Sequence, residues 1–245
     1  MDKVIAVTGA SRGIGRAIAE RFLADGWEVL ALVRDPASVK LDGKVRAFTF
    51  DAADPKSVAD CSAKLAKESG LYALVNNAGI ATSAPFHKTS AEDYGRTMQV
   101  NLHAPWVLTQ AVMPTLLANK GRVVNIASTA ALRGFRYTSA YCTSKHALLG
   151  MTRALAHEYA PKGVTVNAVC PGWTETDMLS DSVGRIVKTT GRPETEARDA
   201  LRSMTPTGRF VTPKEVAAVV HLLVASEAAP SITGSAYVVD GGETV

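Results

Sequence analysis

The sequence predicts an α/β fold: one doubly wound sheet of about seven parallel strands with helices on both faces. Three observations carry that prediction. Short apolar runs recur along the chain, helix-like stretches separate them, and the first run ends in a glycine-rich turn that opens a helix. Strands covered on both faces read as near-continuous apolar segments, and helical crossovers supply the cover.

The elements follow in order. Residues 4–7 form the first strand candidate, Thr8 to Gly15 the turn, and residues 16–23 an amphipathic helical run. Glycines let the backbone bend sharply and approach a pyrophosphate, while a helix N-terminus offers unpaired N–H groups to an anion. The spacing Gly9, Gly13, Gly15 departs from the general Gly-x-Gly-x-x-Gly pattern. Its place between a first strand and a first helix still marks the opening of a Rossmann-type dinucleotide-binding unit. Further strands are expected at 29–33, 45–50, 73–75, 123–127, 164–169 and 236–239, and further helices at 55–68, 91–118, 139–159 and 213–225. Pro105 and Pro114 are expected to bend or divide the long 91–118 helix. Linkers, repeats and low-complexity tracts are not evident, so residues 1–245 read as one domain.

Composition narrows the function. Of 245 residues, 47% are hydrophobic and 20% charged, enough for one large core. Twenty-seven basic against 23 acidic side chains give a net charge of +4, far from the basic stripe of a nucleic-acid binder but compatible with anionic cofactors. No apolar stretch reaches the ~18 residues of a membrane span, and a soluble, cytoplasmic protein is expected. Cys61, Cys142 and Cys170 fit neither a disulfide framework nor a zinc site, and the five histidines have no metal-ligand spacing, so no metal is expected.

Chemistry is concentrated at Tyr141 and Lys145, with Ser128 thirteen residues before the tyrosine. Positions four apart share one helix face. A phenol of pKa about 10 is a poor acid at neutral pH, but a nearby cation stabilises the phenolate. The pair therefore reads as a tuned proton donor, with Lys145 expected to lower the Tyr141 pKa.

Thr8 to Gly15, Asn76-Asn77-Ala78-Gly79, Ser128, Tyr141 with Lys145, and Pro171-Gly172 together resemble the short-chain dehydrogenase/reductase family, from about residue 3 to Gly242. The resemblance implies hydride transfer between a nicotinamide cofactor and a carbonyl, with Asn101, Ser128, Tyr141 and Lys145 as the catalytic set. Tyr141 would give the proton, Ser128 hold the carbonyl oxygen, Lys145 also grip the nicotinamide ribose, and Asn101 anchor a proton-relaying water. Cofactor contacts are implied at Gly9, Ser11, Arg12, Gly13, Ile14 and Gly15, at Asp51 and Ala52 near the adenine, and at Asn77, Ala78 and Gly79 along the ribose. Thr174 and Thr176, after Pro171 and Gly172, would hold the carboxamide. Val33 stands where family members using NAD carry an acid, and Arg34 follows. With Arg12 it favours NADP(H) over NAD(H), Asp35 as an acidic ribose ligand being the alternative.

The segment 178–209 matches the family's substrate lid. Its Arg185, Lys188, Arg192, Arg198, Arg202 and Arg209, with Arg133 and Arg136, suit a phosphopantetheine or coenzyme A arm or an acyl carrier protein, or are a solvated helix face. Phrases such as Asn125-Ile126-Ala127-Ser128-Thr129 are similar to 3-oxoacyl-[acyl-carrier-protein] reductases and type II polyketide ketoreductases. The resemblance thus implies an NADPH-dependent 3-oxoacyl thioester reductase. A secondary-alcohol dehydrogenase is the rival, and a non-catalytic NADPH-binding regulator a third reading. A homotetramer is expected from the family's habit of packing the 91–118 and 139–159 helices against their copies.

Overall fold

A computed structural model describes residues 3–245. Seven parallel strands form one sheet in the order β3-β2-β1-β4-β5-β6-β7. They are β1 Val4–Thr8, β2 Glu28–Val33, β3 Val45–Thr49, β4 Leu71–Asn76, β5 Arg122–Ile126, β6 Thr165–Pro171 and β7 Ala236–Val239. The helices are α1 Gly13–Ala24, α2 Pro55–Leu65, α3 Ala91–Met98, α4 Ala104–Asn119, α5 Ser139–Tyr159, α6 Asp177–Thr190, α7 Glu194–Arg202 and α8 Pro213–Ala225. The chain reverses its direction of winding between β1 and β4. That leaves a crevice at their carboxyl ends, where open α/β sheets take their ligands.

Two cores sandwich the sheet. Ile18 and Phe22 of α1 and Val220 and Leu223 of α8 pack on one face with Ile5, Val7 and Val29. Leu65 of α2 and Leu108, Val112 and Leu116 of α4 pack on the other with Leu30, Leu74 and Val123. Each fully buried side chain of this size contributes roughly 1.5–3 kcal/mol, so the sheet that carries the site is held from both sides. Among the described residues no helix is long and apolar enough to cross a membrane.

Several element boundaries differ from expectation. Helix α2 stops at Leu65, three residues short, and β6 runs to Pro171, two residues beyond. The single helix expected over 91–118 is divided, but ahead of Pro105: Gln99–His103 forms a π-helical turn, in which the Ala104 N–H reaches back to the Gln99 carbonyl. The reason is local. Pro105 has no N–H to give the Asn101 carbonyl four residues earlier, so α-register cannot run through Asn101. Pro114 lies inside α4 without ending it.

Candidate active site

The β1–α1 turn is built for close approach. Gly9 has φ +70°, a left-handed conformation that costs glycine nothing. A Cβ on Gly15 would fall 2.3 Å from the Gly9 carbonyl oxygen and 2.5 Å from Asn77 Nδ2, so only glycine lets α1 start this near the loop after β4. Thr8 locks the two together. Its hydroxyl accepts from the N–H groups of Asn77 and Ala78, both at 2.8 Å, and its carbonyl takes Asn77 Nδ2 at 2.8 Å. On the far side, a Cβ at Gly13 would lie 3.3 Å from the Thr176 methyl, so the turn after β6 closes the same cleft. Ser11, Arg12 and Ile14 lie between these glycines, placing the turn's backbone where a dinucleotide's phosphates would run.

Ser128, Tyr141, Lys145 and Asn101 converge beside this cleft. Ser128 follows β5, and its Oγ accepts from the Ala130 N–H at 3.1 Å, which fixes the hydroxyl. Tyr141 and Lys145 lie on one face of α5. Lys145 is buried, 4% exposed, and its Nζ donates to the Ile126 carbonyl at 2.8 Å while lying 5.8 Å from the Tyr141 ring centre. Burial draws the Lys145 ammonium down to about 8. The same effect raises the Tyr141 phenol, with the Ser128 hydroxyl pulling it back down by hydrogen bonding. The expected depression of the phenol by Lys145 is therefore not realised in this arrangement: desolvation dominates, and the ammonium is engaged by Ile126.

Asn101 is 1% exposed and spends its whole side chain. Its Oδ1 accepts from the Ile80 N–H at 2.9 Å, and its Nδ2 donates to the Ile80 carbonyl at 2.9 Å and to Ser144 Oγ at 3.0 Å. It thus ties the Asn77–Gly79 loop to α5. A Cβ on Gly79 would meet Asn101 Oδ1 at 3.3 Å and Lys145 Nζ at 3.5 Å, so these groups crowd one point. Asn76 joins adjacent strands, donating to Asn125 Oδ1 at 2.8 Å, and Asn125 passes the chain on to Thr152 at 2.9 Å.

These geometries lie along one cleft, and the chain compares with known proteins over its full length. A family model described as enoyl-(acyl carrier protein) reductase matches residues 9–244. The chain belongs to the short-chain dehydrogenase/reductase family. It is 36% identical to the human 3-oxoacyl-[acyl-carrier-protein] reductase over 99% of this chain and 98% of that protein. It is 37% identical to L-2,3-butanediol dehydrogenase of Corynebacterium glutamicum, with 99% and 98% covered. Among solved structures, a candidate NAD(P)-dependent gluconate 5-dehydrogenase from Beutenbergia cavernae, holding NADP at low occupancy, is 36% identical. It superposes with a TM-score of 0.86 over 98% of this chain and 96% of its own. The chain is therefore an oxidoreductase of alcohol and carbonyl groups with a nicotinamide dinucleotide-binding fold.

The remaining positions expected to face the cofactor of this short-chain dehydrogenase/reductase are mixed. Val33 is buried in the core and Arg34 is exposed just beyond β2. Asp35 is turned into a local cap, its Oδ1 accepting from the Ala37 N–H at 2.9 Å, which draws it away from the role of acidic ribose ligand. Arg12 meets Asp177 Oδ2 at 2.7 Å, an exposed pair spanning the cleft. Asp51 Oδ1 accepts from the Ala53 N–H at 2.9 Å, and the Ala52 carbonyl takes Gln99 Nε2 at 3.2 Å. After Pro171 and Gly172, a bridge to Val211 orders Thr174. Thr176 Oγ1 donates to the Thr174 carbonyl at 3.2 Å instead of capping α6, which leaves its oxygen able to accept.

The segment expected to form a lid folds as α6 and α7, which pack through Leu179, Val183 and Leu201 against Phe210. Three of its six expected cations are committed to carboxylates. Arg209 pairs with Glu215 at 2.6 Å and Arg202 with Asp199 at 2.6 Å, while Arg198 lies 3.9 Å from Glu175. Sequence reasoning named Thr8 as the start of the turn but gave it no role, and it missed Ser144 and Tyr137, whose carbonyl accepts from the Ala84 N–H at 2.8 Å. Nothing local marks these two, since Asn101 and Ala84 lie on separate segments.

Proposed function

We propose that this protein is an NADP(H)-dependent oxidoreductase that interconverts a ketone and a secondary alcohol on a small, polar substrate. The convergence of Asn101, Ser128, Tyr141 and Lys145 at one end of the sheet supports this reading most directly. The residues around the cleft fit the cofactor: glycine where any Cβ would collide, and Arg34 and Arg12 at the edge where a 2′-phosphate would need cations. When bound, the nicotinamide supplies or accepts the hydride.

The chain's own residues do the rest. Ser128 holds the carbonyl oxygen and donates most strongly as negative charge develops there. Tyr141 gives that oxygen its proton, a role general acids fill at roughly 10²- to 10⁴-fold in rate. Lys145, its ammonium freed from Ile126, stabilises the phenolate left behind. Asn101 holds loop and helix in register, with its carbonyl outside α-register and able to hold a water.

The cavity next to Tyr141, about 240 Å³, is lined by Thr82, Ser83, Asp93, Tyr137 and Ser139 and falls below the ~300 Å³ at which drug-sized sites begin. Its small volume disfavours a long acyl chain, and the hydroxyls set among its alanines suit a short hydroxylated compound. A 3-oxoacyl thioester on coenzyme A or acyl carrier protein is the second reading, favoured by the exposed cations Arg136, Lys188 and Arg192. Assembly as a homotetramer is proposed too, since Trp106 and Val107 of α4 are 53% and 37% exposed.

NADPH oxidation with acetoin, acetoacetyl-CoA and crotonyl-CoA tests the scheme. Turnover of acetoin, abolished by Tyr141→Phe with cofactor binding retained, is the expected result. Turnover of the 3-oxo thioester alone favours the second reading, and tight NADPH binding without turnover of any carbonyl overturns both.

A further inference from the structure

The cavity beside Tyr141 has one feature the catalytic scheme does not use. Arg185 of α6 lines it together with Thr82, Ser83 and Ser139. The cavity borders the segments that carry the reacting centre: residues 81–84 follow Ile80, held by Asn101, and Ser139 and Ala140 precede Tyr141 on α5. A substrate reaching from Tyr141 past the start of α5 toward α6 would come to this arginine.

Arg12, Arg198, Arg202 and Arg209 each face a carboxylate, whereas Arg185, Lys188 and Arg192 make no ion pair among the described residues, and of these three Arg185 is the one that lines the cavity. Its Nη2 donates to Ser182 Oγ at 2.8 Å, one turn back along α6, and the rest of its fork is uncommitted. The one acid lining the cavity, Asp93, is drawn to its own helix start: Ser90 Oγ donates to Asp93 Oδ2 at 2.8 Å and accepts from the Asp93 N–H at 3.0 Å. The opposite wall is held in a strained backbone. Tyr137, a non-glycine residue, has φ +66°, and its carbonyl accepts from the Ala84 N–H at 2.8 Å. Such strain persists where surrounding contacts impose it, and it concentrates at ligand sites.

We propose that Arg185 is a specificity-determining residue that binds an oxyanion group, a carboxylate or a phosphate, on the carbonyl substrate. The inference rests on the oxidoreductase reading above and names the substrate class: a small oxo acid or oxo phosphate, preferred over its neutral counterpart. A guanidinium matches such groups in a two-pronged, charge-assisted geometry that a hydroxyl or methyl cannot reproduce.

The test compares kcat/KM for two substrate pairs, 3-oxobutanoate against acetoin and dihydroxyacetone phosphate against dihydroxyacetone, in wild type, Arg185→Gln and Arg185→Lys. Wild type is expected to prefer the anionic member of one pair, and the pair concerned tells carboxylate from phosphate. Arg185→Gln should cut that preference at least tenfold, chiefly through KM, and Arg185→Lys should keep part of it. Calorimetric binding of butanoate and of inorganic phosphate to the NADP⁺-loaded protein gives a readout independent of turnover, with affinity for one of them loosened at least tenfold by Arg185→Gln. Equal preferences and equal affinities in wild type and Arg185→Gln overturn the anion site. If neutral ketones are still reduced, the oxidoreductase reading survives that result; if nothing is reduced, both fall.

Discussion

Asn101 Nδ2 donates to Ser144 Oγ at 3.0 Å across 43 residues of sequence, and Ser144 Oγ in turn donates to the Tyr141 carbonyl at 2.7 Å. Through this link the π-helical turn between α3 and α4 holds the first turn of α5, where the phenol sits. Asn101→Ala removes the bonds to Ile80 as well and leaves buried polar groups unpaired, at about 1–3 kcal/mol for each group stranded. A clear loss in unfolding free energy and a fall in kcat larger than any rise in KM are expected. A variant as active as wild type would show that the link is dispensable.

Lys145 makes stability depend on pH in a definite direction. Its folded-state value, about 8, lies below the ordinary 10.5, so the folded protein disfavours the ammonium. That penalty, roughly 3 kcal/mol at most, is fully present below pH 8 and disappears as pH rises toward 10.5, where the amine is neutral in both states. Relative to Lys145→Met, wild type should therefore gain stability between pH 8 and 10.5. Denaturant unfolding of both proteins at pH 7, 8.5 and 10 measures it, and a difference that stays constant with pH contradicts the assignment.

Two glycines should respond in opposite senses to alanine. At Gly15 the new Cβ meets backbone, the Gly9 carbonyl at 2.3 Å, so α1 or the turn must shift; a loss of about 1–3 kcal/mol and weakened NADPH binding are expected. Gly95 in α3 has nothing within 4 Å of its Cβ position. There alanine should stabilise by about 0.5–1 kcal/mol through helix propensity. Thermal unfolding of the two variants distinguishes crowding from backbone freedom.

Cofactor preference should follow Arg34. It is exposed at the end of β2, while Asp35 is occupied by the Ala37 N–H. Losing one charge-assisted hydrogen bond to a 2′-phosphate, worth about 1.5–3 kcal/mol, makes Arg34→Gln lower the NADPH-to-NADH ratio of kcat/KM by tenfold or more. Arg12→Gln should act more weakly, because Arg12 must first leave Asp177. An unchanged ratio in Arg34→Gln would place cofactor discrimination elsewhere.

The sequence by itself determined the fold class and located all seven strands, and it singled out Tyr141 with Lys145. These follow from local quantities: apolar runs, a glycine turn at a strand end, and a tyrosine and lysine one helical turn apart. Tertiary structure decided what those residues touch. That Lys145 reaches Ile126, that Arg12 is held by Asp177 from 165 positions away, and that Arg185 lines the cavity depend on which elements the sheet order brings together. Protonation belongs to the same category. Tyr141 and Lys145 are shifted mainly by burial, which a spacing of four residues does not reveal, because desolvation is a property of everything packed around a group. The broken helix lies between the two: Pro105 is written in the sequence, but the site of the break, at Asn101, follows from the hydrogen bond the proline withholds four residues upstream.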